Sequence, residues 1–136
     1  MGTRRQSREL ALQLLYQCEH SSVDLVTMQQ DFESWQKADE GVRSFADELL
    51  RGTLENRDEI DGYLEKQTAH WKLGRLAVVD RNILRLAMFE LLFSRDTPPA
   101  VVIDEAIEIA KKFGAEESAG FVNGILDGFL KKQSAR

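Results

Sequence analysis

Ala77-Val-Val-Asp-Arg-Asn-Ile-Leu-Arg-Leu-Ala-Met-Phe-Glu-Leu-Leu-Phe93 is apolar on nearly every side when wound as an α-helix. Val78, Val79, Ile83, Leu84, Leu86, Ala87, Met88, Phe89, Leu91, Leu92 and Phe93 leave it no broad polar face. A surface helix keeps such a face; one that lacks it lies in the middle of a bundle, covered by other helices. The stretch therefore predicts an all-α fold around a central helix.

The flanking sequence supplies the covering helices. Only two prolines occur, adjacent at Pro98 and Pro99, and apolar residues recur at three- and four-residue intervals over long stretches. A first helix is expected from about Thr3 to Glu19, with Leu10, Leu14 and Cys18 in one row and Ala11 and Leu15 in a second. Leu12 and Tyr16 fall off that stripe, on the side shared with Arg5 and Arg8, and await another helix or another protein. A second helix spans about Val23 to Lys37, with Asp24 as its cap and Leu25, Met28, Phe32 and Trp35 on its apolar face. A third runs from about Gly41 into Arg57, and a short fourth covers Ile60 to Gln67. The segment from Thr68 to Gly74 reads as a connector between two subdomains, roughly 1–70 and 71–136, of a single domain. Beyond the central helix, Pro99 suits the opening turn of a helix that Gly114 ends, and Ser118 or a neighbour caps a last one. About seven helices in two small bundles result.

With 136 residues, 43% hydrophobic and 30% charged, the chain has the balance of one globular domain with a substantial core. One cysteine excludes an internal disulfide, and Cys18 falls within the apolar periodicity of the first helix, as a buried structural thiol does. No apolar run reaches the length of a membrane span, and no signal-peptide core follows the basic start, so a cytoplasmic protein without membrane contact is expected.

Three arginines, Arg4, Arg5 and Arg8, crowd the start of the first helix. Unpaired N–H groups and the helix dipole make that end electropositive, so cations there are disfavoured by roughly 0.3–1 kcal/mol each. A chain with 23 acidic and 18 basic side chains had acids to place there instead. Arginine forks suit phosphate, which reads as a nucleic-acid backbone contact; the plainer reading is a solvated terminus. A net charge of −5 repels nucleic acid overall, so such contact is local, salt-sensitive and in want of a partner.

Signs of catalysis are missing. No phosphate-cradling glycine loop or nucleophile elbow is present, and Gly120 and Gly124 are isolated glycines in a helical pattern. His20 and His70 lack metal-ligand spacing, and His70 beside Trp71 reads as a surface residue. The acid pairs Asp104-Glu105 and Glu116-Glu117 read as helix-surface charge. A non-enzyme without metal or cofactor is expected.

Four stretches carry a resemblance: Arg8-Glu-Leu-Ala-Leu-Gln-Leu-Leu-Tyr16, Val79-Asp-Arg-Asn-Ile-Leu-Arg-Leu-Ala-Met-Phe-Glu-Leu91, Ile103-Asp-Glu-Ala-Ile-Glu-Ile-Ala-Lys-Lys-Phe-Gly114 and Phe121-Val-Asn-Gly-Ile-Leu-Asp127. In order and spacing they resemble the NusB family of bacterial transcription antitermination factors, along essentially the whole chain. The resemblance implies a protein that pairs with NusE, a small-subunit ribosomal protein. Together they bind the boxA element of ribosomal RNA transcripts, help RNA polymerase within an antitermination complex read through terminators, and support ribosome assembly. It assigns RNA contact to Arg4, Arg5, Arg8, Lys111, Glu117, Ser118 and Phe121, with Gln6 and Glu117 departing from the usual basic residue and aspartate. It assigns the NusE-facing surface to Tyr16 and Asp80, and the residue pattern adds Leu12. For Phe121 the alternative is core packing with Ile125; for Asp80 it is an intrahelical pair or a partner such as Arg75. Two other readings remain: the RNA-binding helper domain of a ribosomal-RNA cytosine methyltransferase, and a protein-binding scaffold that pairs with a second copy of itself.

Overall fold

A computed structural model describes residues 3–68, 72–94 and 96–134; His70, Trp71 and Arg95, with the middle of the expected connector, lie outside them. Among the described residues there are eight α-helices and no strand: α1 (Thr3–His20), α2 (Leu25–Asp31), α3 (Glu33–Lys37), α4 (Glu40–Glu55), α5 (Arg57–Gln67), α6 (Val78–Phe93), α7 (Pro99–Phe113) and α8 (Ser118–Ser134). A short 3-10 turn, Leu73–Arg75, leads into α6.

The all-apolar stretch is α6, and it is central as its pattern demands: α1, α4, α5, α7 and α8 all pack against it. Every residue from Asn82 to Glu90 is buried. One continuous apolar core joins Leu14, Leu49, Leu50, Ile60, Leu64, Leu84, Met88, Val122 and Leu126.

Eight helices replace the expected seven because the second one breaks at Phe32, which adopts extended backbone (φ −89°, ψ 108°). The carbonyl freed at Gln29 accepts the Phe32 N–H and the Gln36 side-chain amide, while the buried Gln29 amide donates to Asp47 of α4. The corner lets Met28 and Trp35 both reach the core. Asp24 stands at the expected cap of α2, although its side chain makes no capping bond there.

Gly114 does end α7, for a different reason than a left-handed turn. Its backbone is extended (φ −93°, ψ −174°), but a Cβ there would lie 2.6 Å from Ser118 Cβ and 2.8 Å from the Ala110 carbonyl oxygen. Glycine is needed because α8 starts so close to the end of α7.

Candidate nucleic-acid and protein interfaces

The three N-terminal arginines meet three different environments. Arg4 is exposed, with its guanidinium carbon 3.9 Å from the centre of the Phe45 ring on α4. Arg5 is also exposed and holds Glu105 of α7 with two parallel bonds, Nε to Oε1 at 2.9 Å and Nη2 to Oε2 at 2.6 Å. Arg8 does not face solvent. It is 5% exposed, and its Nε and Nη2 donate to the buried carboxylate of Glu90 on α6, each at 2.8 Å. The expected head of three solvent-facing cations is thus two cations above one internal ion pair. Glu105, read from sequence as surface charge, sits between them: half-buried, on Arg5, and 3.6 Å from Arg8 Nη1. The Arg5 hydrogen bonds hold its carboxyl below the usual carboxylate range against the opposing effect of burial.

The α7–α8 turn gathers the next group. Ser118 is fully buried and its hydroxyl accepts the Ala115 N–H at 2.9 Å, so it shapes the turn and presents nothing to solvent. Glu117 and Lys111 are exposed, Lys111 lying 3.1 Å from Glu108. Phe121 is half-buried, with one part of its ring against the core and the rest open. Lys112 reaches Glu9 of α1 at 2.9 Å, so this turn lies on the same side as the arginines. Along α7, Glu105 and Lys111 are about 9 Å apart.

Farther along α1, an apolar groove of about 360 Å³ is lined by Leu12, Gln13, Tyr16, Gln17, Phe32, Val79 and Phe113. Tyr16 stands on its rim, 44% exposed, its ring edge-on to His20. Leu12 is 3% exposed: of the two covers that the periodicity left open, it is other parts of this same chain that close over it. Asp80, in the first turn of α6 beside Val79, is half-buried. Its Oδ1 is shut from solvent with no hydrogen-bond partner among the described residues. Neither internal partner expected for it is in place. Arg81 turns instead to Glu19 at 2.7 Å and to the carbonyls of Leu73 and Leu76, and Arg75 is exposed.

No group of three His, Cys, Asp or Glu side chains could hold a metal ion among the described residues. Burial pushes the Cys18 thiol up, away from thiolate reactivity. None of the described helices is long and apolar enough to cross a membrane.

The pattern of the NusB family matches residues 5–131. The chain belongs to the NusB family. The transcription antitermination protein NusB of Geobacter sulfurreducens is 52% identical over 130 residues, covering 93% of each chain. Among solved structures, T. maritima NusB matches 94% of this chain and 90% of its own, with 43% identity and a TM-score of 0.85. The NusB of a complex of antitermination factors NusB and NusE with dsRNA matches 97% of this chain and 98% of its own, with 27% identity and a TM-score of 0.85.

Much of the NusB-like sequence pattern turns out to be internal wiring. Arg85 donates to Asp61 of α5 at 2.8 Å and to Glu19 of α1 at 2.7 Å, and Glu19 also takes Arg81. Burial disfavours the Glu19 charge, but the hydrogen bonds from Arg81 and Arg85 outweigh it and hold the carboxyl low. Glu19, Asp61, Glu90 and Glu105 were all missed as partners. Phe45, under the Arg4 guanidinium, carries no sign in the sequence of that contact. The only sequence signal was an arginine or a glutamate at an otherwise apolar position, as at Arg85 and Glu90.

Proposed function

We propose that this chain is a non-enzymatic transcription antitermination factor that binds the boxA element of ribosomal RNA transcripts together with NusE. In this reading it helps RNA polymerase read through ribosomal RNA operons, supports ribosome assembly, and works in the cytoplasm where transcripts emerge. The observation that carries the reading is that α1 serves two separate surfaces. Arg4 and Arg5 lie at its start, and Tyr16 stands over an apolar groove about 18 Å farther along the axis.

RNA phosphates are assigned to Arg4 and Arg5, with Lys111, Glu117 and Phe121 continuing the path at the α7–α8 turn. Arg8 and Ser118 contribute by holding α1 and the turn in place. NusE is assigned to the groove, with Tyr16 on the rim and Leu12 in the floor, and to the half-buried Asp80 that follows Val79 of its lining. A basic ribosomal partner also supplies the positive field that a net charge of −5 lacks.

The test is calorimetry with boxA RNA, with and without NusE. Each partner is expected to tighten the other by one common factor, as linkage requires. Replacing Arg4 and Arg5 by alanine should flatten the salt dependence of RNA binding by about 1.4 log units per log unit of salt, two single-strand phosphate contacts at about 0.7 each. Equal RNA affinity with and without NusE, and an unchanged slope, would remove the proposal.

A further inference from the structure

The bidentate Arg5–Glu105 pair leaves part of the guanidinium unused. Arginine has five N–H donors. Glu105 takes the Nε–H and one Nη2–H, so among the described residues both Nη1–H groups and the second Nη2–H have no partner. Those donors form the end-on fork that suits a phosphate, and the Arg5 side chain is 45% exposed while Glu105 is 17% exposed. Glu105 is in turn fixed from inside: its Oε1 lies 3.6 Å from Arg8, which is locked on the buried Glu90.

We infer that Glu105 is a positioning residue for RNA binding, gripping Arg5 by one edge so that its opposite edge is presented, already oriented, to a phosphate. The inference rests on the RNA-binding reading above. A free arginine at a helix start samples many rotamers, and immobilising it on binding opposes association. The chain Glu90–Arg8–Glu105–Arg5 meets that opposition in advance, through carboxylates contributed by α6 and α7. Glu105 also brings a negative charge near the phosphate. Since the carboxylate holds the far edge of a delocalised cation and leaves the end-on fork open, it orients Arg5 without displacing the ligand.

The test is a double-mutant cycle with Arg5→Ala and Glu105→Gln, reading the affinity of a single-stranded boxA oligonucleotide in the presence of NusE. Glutamine offers one acceptor oxygen where the carboxylate offers two, so it cannot grip the edge. Glu105→Gln is expected to weaken binding about 3- to 10-fold in the parent and to have no effect in the Arg5→Ala background. Without RNA, the Arg5 Nε–H resonance should be slow to exchange in the parent and fast in Glu105→Gln. Tighter RNA binding by Glu105→Gln would make Glu105 a competitor and overturn the inference. So would equal loss in both backgrounds, or an Arg5 resonance that Glu105→Gln leaves unchanged. If the RNA-binding reading itself fails, Arg5→Ala has no effect on affinity, and the resonance then reports only a structural pair.

Discussion

At the residue scale, small atoms decide large contacts. Gly52 of α4 lies under the Phe89 ring of α6, and a Cβ there would collide with that ring. Phe89 has little room to retreat, being 8% exposed and stacked 5.6 Å from Phe93. Gly52→Ala would gain up to about 1 kcal/mol of helix propensity and lose about 1–3 kcal/mol to overpacking, so a net loss of stability is expected in urea denaturation. Tyr16 and Phe121 differ in the same currency. Tyr16→Ala, at an exposed rim, should weaken NusE binding with the melting temperature nearly unchanged. Phe121→Ala should lower RNA affinity and also stability, but by less than the roughly 3–5 kcal/mol of a fully buried phenylalanine. A loss of stability at Phe121 with RNA binding intact would return its ring wholly to the core.

At the element scale, the fold is tied by charge as well as by packing. Arg85 and Arg81 of α6 join the end of α1, α5 and the 3-10 turn through Glu19, Asp61 and the Leu73 and Leu76 carbonyls. Breaking a buried pair by deleting one partner typically costs about 3–5 kcal/mol, because it strands the other charge. Arg85→Ala should fall at the low end, about 3 kcal/mol, since Arg81 still serves Glu19 and Arg57 lies 3.8 Å from Asp61. By contrast, the exposed Lys37–Glu33 pair on α3 should contribute less than about 1 kcal/mol. Chemical denaturation of Arg85→Ala and Lys37→Ala side by side checks the ranking; equal effects would deny the network its structural role.

At the scale of the whole molecule, the same carboxylates set the response to acid. Glu19 is held below its ordinary value by Arg81 and Arg85 after burial is overcome, and Glu105 is held low by Arg5. A carboxyl depressed in the folded state stabilises fully above its unfolded value, near 4.3 for glutamate, and that contribution is lost as pH falls through the folded value. Stability from these groups should therefore be flat near neutrality and fall below about pH 4.5. Glu19→Gln should be less stable at pH 7 and show a shallower acid slope. Glu105 should add less, because its Arg5 partner is exposed and screened by solvent. An acid slope that survives both substitutions would place the titration elsewhere.

The sequence by itself determined that the chain is helical, that the stretch from Ala77 to Phe93 is central, and where α7 begins and ends. It did so because helix periodicity and the proline and glycine positions are properties of one segment alone. Only the tertiary structure decided which arginines face out. Arg8 and Glu90 stand 82 positions apart, and Arg5 and Glu105 stand 100 apart. Whether such residues meet depends on how packed helices are rotated and shifted along their axes, which no local pattern encodes. Leu12 illustrates the same limit: its helix predicts a face without a partner, and other helices of the same chain supply one. The corner at Phe32 does too, since Met28, Phe32 and Trp35 keep helical spacing even where the chain turns to bring Met28 and Trp35 into one core.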